Sequence, residues 1–417
     1  MANESATPNF TSGTVWTGDN LPILRGMNSN CVDLIYLDPP FNSNRTYEAP
    51  IGSKAAGAAF KDMWTLDDVD VHEHGELADR NPAAYSVIEA ARQAHGKGMM
   101  SYLIFMAVRL MEMHRVLKET GSIYVHCDPT ASHYLKLLMD AIWGRKAFKN
   151  EIVWCYKGGG KGKNDFARKH DIILRYASGK ILTFNADSVR VPYEGEGKGR
   201  TDASRWGSRR IGDTLIPYKP NEKGKIPEDW WPMPQLNSNS PERIGYPTQK
   251  PLALLDRIIN ASSNEGDMVL DPFCGCATAC VAADRLGRKW AGIDLSDLAV
   301  RLVNDRINSD RSVQEKKYGK HIGGNLFGGA TALTLPPIRT DLGDIPNYRT
   351  HRHRLYGEQE GICAGCQTHF PFRVMDVDHM LPRSRGGTDH PDNLQLLCSG
   401  CNRSKGGKTM AEWRAMK

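Results

Sequence analysis

Residues 32–41 read Val-Asp-Leu-Ile-Tyr-Leu-Asp-Pro-Pro-Phe, an apolar run that ends in an acid, two prolines and an aromatic residue. Far along the chain, residues 268–275 read Met-Val-Leu-Asp-Pro-Phe-Cys-Gly and end in a similar way. Short apolar runs bounded by turn residues are typical of buried strands. The order of the two strand ends indicates which half of the chain holds a reacting group and which half holds a cofactor.

The segments around these runs predict helices and further strands. Met99–Leu117 and Tyr134–Trp143 have helical apolar spacing, and Ser122–His126 is a short strand between them. The alternation of strand and helix resumes between residues 252 and 293. Strands that alternate with amphipathic helices predict an α/β fold with a mostly parallel sheet and helices on both faces.

The composition is that of a soluble globular protein, and 417 residues suggest two or three domains. The net charge is +6, but residues 155–225 alone contain sixteen Lys and Arg against eight Asp and Glu. Such a basic stretch predicts contact with a polyanion, although a solvated loop is the simpler alternative. The sequence has no apolar run of membrane length and no secretory pattern at residues 1–8, so we expect no membrane partner and a cytoplasmic protein.

The strand end at Asp38-Pro39-Pro40-Phe41 offers hydrogen-bond acceptors beside an aromatic ring. The prolines stiffen the backbone and lack N–H groups, so the Asp38 carboxylate and backbone carbonyls face outward. This set suits a planar donor such as the exocyclic amine of a nucleobase. Two acceptors that hold the amine hydrogens would push the nitrogen toward tetrahedral geometry and free its lone pair. The base would first have to leave the duplex.

The second strand end leads into a glycine turn, Asp271-Pro-Phe-Cys-Gly-Cys-Ala-Thr278. A glycine turn between a strand and a helix lets a ligand approach the backbone closely. Asp294 ends the next apolar run about twenty residues later, where an acid commonly binds ribose hydroxyls. The sequence contains no phosphate-binding loop of the ATPase type, so these features favour a different nucleoside cofactor.

Six stretches, in this order, resemble the amino-methyltransferases of DNA that use S-adenosylmethionine, in the permuted β-class arrangement. The matching stretches are Thr17–Leu21, Asp38–Phe41, Gly121–Asp128, Tyr246–Pro251, Asp271–Thr278 and Gly292–Asp294. The resemblance spans about residues 15–305 and implies a Rossmann-like methyltransferase fold. It also implies that Asp38 and the Pro39 carbonyl grip the target amine next to Pro40, and that Phe41 stacks on the base.

The same resemblance implies a cofactor site and a recognition region. The implied cofactor residues are Asp19, Thr248, Lys250, Asp271, Phe273, Gly275 and Asp294. About residues 155–246 would form the inserted target recognition region. The family usually has Gly where Ala277 stands, and alanine is expected to fit there if the residue is helical. Asp38, where cytosine-directed members often have Ser, favours adenine N6 over cytosine N4, which stays the alternative.

Four cysteines near the C-terminus form two Cys-x-x-Cys pairs, Cys363/Cys366 and Cys398/Cys401. This spacing predicts a tetrahedral structural zinc site, which is closed to substrate. A segment this short needs such a staple to fold. A zinc ribbon without catalysis, acting as a DNA-binding module, is the alternative reading of the cysteine pairs alone.

The residues between and after the cysteine pairs resemble the HNH nucleases, whose ββα-metal motif binds one divalent ion. The matching stretches are Val377–Gly387, Asn393–Cys398 and Cys401–Lys405. By this resemblance, His379 is the general base, Asn393 orients it, and Asp378 and Asn402 hold a Mg²⁺-like ion. Asn402 stands where the family often has His. The resemblance also implies that four basic residues contact phosphates: Arg383, Arg385, Arg403 and Lys405.

The sequence therefore predicts a methyltransferase domain over residues 1–310, a linker over 311–346 and a small zinc-stapled HNH domain over 347–417. The expected partner is double-stranded DNA, and a homodimer is left open. The expected role is restriction and modification in a bacterium or a phage. Another hypothesis is that the methyltransferase fold is only a DNA-binding module that aims the nuclease.

Overall fold

The computed structural model covers the chain, and the description is limited to residues 7–41, 45–49, 53–56, 59–62, 77, 80–157, 164–177, 179–193, 208–211, 214–217, 221–237, 239–318, 330–341, 348–385, 389 and 393–416. The chain divides into two compact units. The first contains residues 1–62, 112–136 and 143–337, and the second contains residues 63–111, 137–142 and 338–417.

The secondary structure alternates strands and helices, as the sequence predicts. In chain order the strands are β1 (Thr14–Thr17), β2 (Val32–Leu37), β3 (Arg45–Glu48), β4 (Ala59–Asp62), β5 (Leu117–Cys127), β6 (Phe148–Cys155), β7 (His170–Tyr176), β8 (Ser208–Ile211), β9 (Thr214–Pro217), β10 (Trp230–Pro232), β11 (Met268–Asp271), β12 (Lys289–Asp294), β13 (Thr331–Leu333), β14 (Met375–His379) and β15 (Leu394–Cys398). The α-helices are α1 (Asn20–Gly26), α2 (Pro82–His95), α3 (Lys97–Val116), α4 (Ser132–Trp143), α5 (Leu252–Ser262), α6 (Thr278–Arg285), α7 (Leu298–Tyr318), α8 (Arg352–Glu358), α9 (Ser399–Lys405) and α10 (Met410–Arg414).

One sheet organises the first unit. Its nine strands lie in the order β10-β6-β7-β5-β2-β11-β12-β1-β13. Strand β7 runs antiparallel to both of its neighbours, and the other pairs are parallel. The mixed α/β sheet confirms the predicted fold class. Because β2, β11 and β12 are parallel, Asp38, Asp271 and Asp294 emerge at the same edge of the sheet.

The centre of this sheet is apolar on both faces, which is why the sequence there reads as continuous apolar runs. Leu34 and Val269 are fully buried in one cluster with Ile258 of α5 and Trp290 of β12. Helix α6 packs against both α5 and α7, and it also contacts β11 and β12. Each buried aliphatic side chain contributes about 1.5–3 kcal/mol, so this cluster holds the strand ends rigidly in place.

The two outer strands of the sheet depart from the sequence prediction. Trp230–Pro232 lies within the predicted insert, yet it pairs with Val153–Cys155 as an edge strand. At the opposite edge, Thr331–Leu333 pairs with β1, and α7 continues to Tyr318. The predicted linker therefore contains a helix end and a strand. Three-residue edge strands have too few residues for a visible alternation, so the sequence pattern missed both.

The second unit contains α2 and the C-terminal tail. In the tail, β14 and β15 form an antiparallel pair that leads directly into α9, which is the predicted ββα arrangement. Its small core contains Leu355, Met375, Leu396 and Trp413. Within the part of the chain that the structure describes, none of the helices has the length and apolar character needed to cross a membrane.

Candidate active sites

The amine-binding strand end is built around Asp38, directly after β2. One carboxylate oxygen, Oδ2, accepts a hydrogen bond from Lys250 Nζ at 2.6 Å. The other oxygen, Oδ1, is buried and has no hydrogen-bond partner among the described residues. A buried acceptor without a partner costs about 1–3 kcal/mol, so this oxygen is poised to accept a donor from a ligand.

Lys250 pairs with Asp38. The sequence resemblance groups this lysine with the cofactor residues. Its side chain is 8% exposed, and its Nζ is 5.3 Å from the centroid of the Phe41 ring. A buried ammonium needs a nearby anion, and Asp38 supplies it. The lysine therefore fixes one oxygen of the carboxylate and leaves the other oxygen for a donor. The sequence could not indicate this contact because the two residues are 212 positions apart.

The cofactor-type turn is organised by two acids at the same sheet edge. Asp271 ends β11 and is buried, and its Oδ1 accepts the Phe273 N–H at 3.2 Å. Burial raises its pKa well above the usual value for a carboxyl. Asp294 ends β12 and accepts two backbone N–H bonds, from Gly275 at 2.8 Å and from Ser296 at 2.9 Å. Burial raises the pKa of Asp294 as well, while these two bonds oppose the rise.

Gly275 has a positive φ of 49°, which a glycine adopts without strain. A Cβ at this position would lie 3.0–3.2 Å from the ring of Tyr246. The turn therefore requires glycine for its backbone angle and for the close approach of the tyrosine. The sequence prediction of a glycine turn between a strand and a helix is confirmed for the backbone, and the approach of a ligand to this turn stays a prediction.

Two further predicted cofactor residues have distinct structural positions. Asp19 is exposed and caps α1 by accepting the Leu21 N–H at 3.0 Å. Thr248 is exposed and has a positive φ of 60°. Next to Asp19, the buried Asn20 donates from Nδ2 to the Pro272 carbonyl at 2.8 Å. Sequence reasoning missed Asn20, although its place after Thr17-Gly-Asp19 in a matched stretch was a usable signal.

Ala277 contradicts the expectation that alanine fits because the residue is helical. It precedes α6 in the left-handed region, with φ 58° and ψ 38°. An L-residue with a Cβ pays about 1–2 kcal/mol in this conformation. The usual glycine of the family would avoid that strain.

Replacing Ala277 by glycine is therefore expected to stabilise the protein by about 0.5–1 kcal/mol, after the larger unfolded-state entropy of glycine is subtracted. Thermal unfolding of the purified protein would measure the change. The matched control is Ala282→Gly inside α6, which is expected to lower stability by at least about 1 kcal/mol. Equal destabilisation by the two glycines would contradict the strain at Ala277.

The four tail cysteines converge on one point. The Sγ atoms of Cys363, Cys366, Cys398 and Cys401 all lie within 4.8 Å of one another. Backbone N–H groups point at two of the sulfurs, since Cys398 N lies 3.2 Å from Cys363 Sγ and Cys401 N lies 3.4 Å from Cys398 Sγ. Four sulfurs at this separation, supported by N–H donors, fit a single tetrahedral metal ion of the zinc type.

The predicted ion ligand Asp378 lies in β14 and is already engaged on both oxygens. Its Oδ2 accepts from Gln395 Nε2 at 2.8 Å, and its Oδ1 accepts from Lys405 Nζ at 3.0 Å. Lys405 is 0% exposed and also donates to the His379 carbonyl at 2.9 Å. The prediction that Lys405 contacts phosphates is therefore wrong. Asn402, the other predicted ion ligand, is half-buried on α9, one turn before Lys405.

The predicted general base, His379, is held by a residue that the sequence did not single out. Its Nε2 lies 2.8 Å from Asp389 Oδ1, and its ring lies 4.7 Å from the ring of Tyr348. Asn393, predicted to orient the histidine, instead bonds the backbone of Leu381. The amide accepts the Leu381 N–H at 2.8 Å and donates to the Leu381 carbonyl at 3.0 Å. It thus shapes the loop after His379 and does not bond the ring in the described structure.

The remaining basic residues of the tail lie on its surface. Arg383 pairs with Asp389, and Arg385 pairs with Glu412 at 2.7 Å. Both arginine side chains stay about half exposed, at 58% and 47%. Arg403 is exposed on α9. These three positions remain compatible with phosphate contact, because exposed ion pairs are weak and exchange readily.

Comparison with known proteins gives a family for each part of the chain. The DNA methylase model for N6 and N4 methyltransferases matches residues 32–305, and the HNH endonuclease model matches residues 363–408. The DNA adenine methyltransferase YhdJ of Escherichia coli is 29% identical over 325 residues, which cover 75% of this chain and 90% of that protein. The type II methyltransferase M.HpaI of Haemophilus parainfluenzae is 28% identical and covers 69% of this chain and 71% of its own length.

The solved structures that match this chain include that of the putative DNA modification methylase TTHA0409 of Thermus thermophilus, in complex with S-adenosyl-L-methionine. It is 16% identical to this chain and has a TM-score of 0.40. The alignment covers 71% of this chain and 93% of that one.

Proposed function

Because the chain belongs to the N6/N4 DNA methylase family and has an HNH endonuclease domain near its C-terminal end, we propose that it methylates adenine N6 in double-stranded DNA and also cleaves DNA. The methyl donor would be S-adenosylmethionine. The methyltransferase part of this proposal rests on the carboxylate of Asp38, whose two oxygens have different surroundings. One oxygen is held by Lys250, and the other is a buried acceptor without a partner among the described residues.

The acceptor geometry suits the reaction of an exocyclic amine. Asp38 Oδ1 and the Pro39 carbonyl would accept the two amine hydrogens, and Pro40 keeps the turn stiff. Positive charge develops on the amine nitrogen during alkylation, and the Asp38 carboxylate stabilises it where water is excluded. Phe41 would stack on the flipped base. Lys250 holds the carboxylate so that its free oxygen keeps a constant direction.

The residues of the second strand end fit a nucleoside cofactor. Asp294 still has acceptor capacity for ribose hydroxyls after it takes two backbone N–H bonds, because each carboxylate oxygen has two lone pairs. Gly275 supplies the left-handed turn that places Asp271 and Phe273 beside Asp294, and its N–H holds the Asp294 carboxylate. Asp19 would lie near the adenine. When bound, S-adenosylmethionine would supply the electrophilic methyl group.

Adenine is the proposed target because Asp38 stands where cytosine-directed members often have Ser. The relative YhdJ is named as an adenine methyltransferase, which agrees with this choice. Cytosine N4 is the second candidate. Purified protein with S-adenosylmethionine and DNA should yield N6-methyladenine after digestion to nucleosides and mass analysis. The appearance of N4-methylcytosine alone would overturn the choice of adenine.

For the tail, we propose a zinc ion on the four cysteines and a separate Mg²⁺-like ion held by Asp378 and Asn402. Oxygen ligands suit the second ion, and thiolates suit the first. The carboxylate of Asp378 would have to be shared with Lys405, because that lysine already bonds it. His379 would take the proton of the attacking water, and Asp389 would hold its ring.

Replacing His379 by alanine is expected to reduce metal-dependent DNA nicking at least about 100-fold, because general-base catalysis contributes about 10²–10⁴-fold. Methyl transfer by the same preparation should be unchanged. A plasmid-nicking assay in Mg²⁺ or Mn²⁺ would measure cleavage, and His353→Ala, which removes a histidine stacked on Phe372, is the control in the same unit. Undiminished nicking by the His379 variant would favour a tail that only binds DNA.

We propose residues 1–310 for the methyltransferase, with about 155–246 for target recognition, and 347–417 for the nuclease; the segment 311–346 between them adds strand β13 to the edge of the methyltransferase sheet. The pairing of the two activities fits restriction and modification. If the methyltransferase fold only aimed the nuclease, Asp38→Ala would leave cleavage intact and no methyl transfer would be detectable. Sequencing DNA from cells that express the protein, with detection of modified bases, would report the modified base and its context together.

A further inference from the structure

A chain of hydrogen-bonded polar side chains lies behind Phe41, inside the sheet edge. Tyr36 Oη is 2.9 Å from His126 Nδ1, and His126 Nε2 is 3.1 Å from Asp171 Oδ2. The other oxygen of Asp171 accepts from Tyr156 Oη at 3.0 Å. Tyr36, His126 and Asp171 lie in β2, β5 and β7, and Tyr156 directly follows β6, so the network links four neighbouring strands of the sheet.

His126 is the centre of this network, and its ring cannot turn freely. It is 0% exposed, and both ring nitrogens have partners. The Phe41 ring lies almost parallel to it, with centroids 5.8 Å apart and an angle of 24°. Trp154 meets the same imidazole edge-on at 5.6 Å. One face of Phe41 is therefore backed by a ring that three strands hold in a fixed orientation.

The charge of the network is also set by its surroundings. Burial tends to raise the pKa of Asp171, but the hydrogen bond from His126 and the charge of Lys250 outweigh it. The net pKa of this carboxyl lies below its usual value. An ionised carboxylate that is largely shielded from water is expensive, and such groups are often no more stabilising than apolar residues of similar size. Because the network lies directly behind the Phe41 ring, we explain it by the positioning of that ring and not by a gain in folding stability.

We propose that His126, held by Tyr36 and Asp171, is a positioning residue for methyl transfer. It fixes Phe41 in the orientation that stacks the target base beside Asp38. The strand register places His126 next to the motif. Leu37 pairs with Val125, and the residues that follow these two along the chain are Asp38 and His126. The inference rests on the proposed methyltransferase function. It adds residues outside the Asp-Pro-Pro-Phe motif that control where the base lies.

The sharpest test compares two buried tyrosines that are partners in the sheet register, Tyr36 and Tyr124. Both are 2% exposed, and each makes a hydroxyl hydrogen bond, Tyr36 with His126 and Tyr124 with Ser262 Oγ at 2.7 Å. Tyr36→Phe and Tyr124→Phe therefore remove the same group at matched burial. We expect Tyr36→Phe to lower kcat about 10-fold and Tyr124→Phe to change it less than about 2-fold, because small misplacements of reacting groups are costly.

His126→Ala should lower kcat about 100-fold, with cofactor affinity unchanged in calorimetry. Once the target site is known, DNA with 2-aminopurine at the target base adds a second measurement. The His126 variant should still flip the base but leave it brighter than the unaltered protein does, because the base stacks less firmly on Phe41. If His126→Ala does not fold, Tyr36→Phe and Asp171→Asn replace it.

Two results would separate failure of this inference from failure of the proposed function. Normal methylation by the unaltered protein, with equal kcat for the Tyr36 and Tyr124 variants, would overturn the positioning role alone. Complete absence of methyl transfer by the unaltered protein would overturn the proposed function and, with it, this inference.

Discussion

Replacing Asp38 by alanine is expected to lower the rate of methyl transfer at least about 1,000-fold, which corresponds to about 4 kcal/mol of barrier. The change removes the buried oxygen that would accept the amine hydrogen and stabilise the developing charge. Binding of S-adenosylmethionine should persist, because Asp271 and Asp294 do not depend on it. Transfer of labelled methyl groups to DNA in single-turnover conditions would measure the effect.

The variant also leaves Lys250 without its partner, so some loss of stability is expected and needs a control. Asp33 provides one, because it lies in β2, the strand that Asp38 follows, and pairs with a lysine, Lys118, at 2.8 Å. It also accepts the Met268 N–H at 2.8 Å. Asp33→Ala should lower stability by about 2 kcal/mol through these lost charged hydrogen bonds and leave the rate of methyl transfer nearly unchanged.

The comparison of the two aspartates separates chemistry from folding. If Asp38→Ala retained more than about a tenth of the normal rate, the assignment of the amine grip would be refuted. If both variants lost activity in proportion to their stability, Asp38 would be a structural residue. Loss confined to Asp38, in a protein that remains folded, is the result that the proposed chemistry requires.

Replacing Cys363 by serine is expected to unfold the tail and abolish nuclease activity while methyl transfer continues. Zinc binding and folding are coupled in small zinc domains, where the ion contributes about 10–16 kcal/mol. The Sγ of Cys363 also accepts the Cys398 N–H at 3.2 Å, so its loss affects both halves of the cluster. Elemental analysis should give one zinc per chain for the unaltered protein and less for the variant.

Cys31→Ser is the matched control, since Cys31 is a buried cysteine of the first unit and lies outside the four-cysteine cluster. Its Sγ donates to the Asn28 carbonyl at 2.9 Å, a bond that a serine hydroxyl can also make. That variant should keep its zinc and both activities. Loss of methyl transfer together with nuclease activity in the Cys363 variant would show that the two domains do not fold independently. Retention of a full zinc complement would contradict the cluster.

The candidate site was partly visible in the sequence because each motif lies within a few residues of one strand end. Asp38-Pro39-Pro40-Phe41 and the turn after Asp271 encode their own backbone shape through proline and glycine. Parallel strands place such ends at one edge, so the sequence predicted their neighbourhood. The sequence did not predict the left-handed conformation of Ala277, because the φ and ψ of this residue depend on how the turn joins the first residue of α6.

The amino-acid sequence by itself determined the strand ends, the cysteine cluster and the α/β class, since these depend on local spacing and apolar periodicity. Only the tertiary structure decided that Lys250 bonds Asp38, that Lys405 is buried against Asp378, and that His126 backs Phe41. Those contacts join residues that are far apart along the chain. They depend on the order of the strands in the sheet and on which buried charges pair with each other. No single segment of the sequence determines either of these.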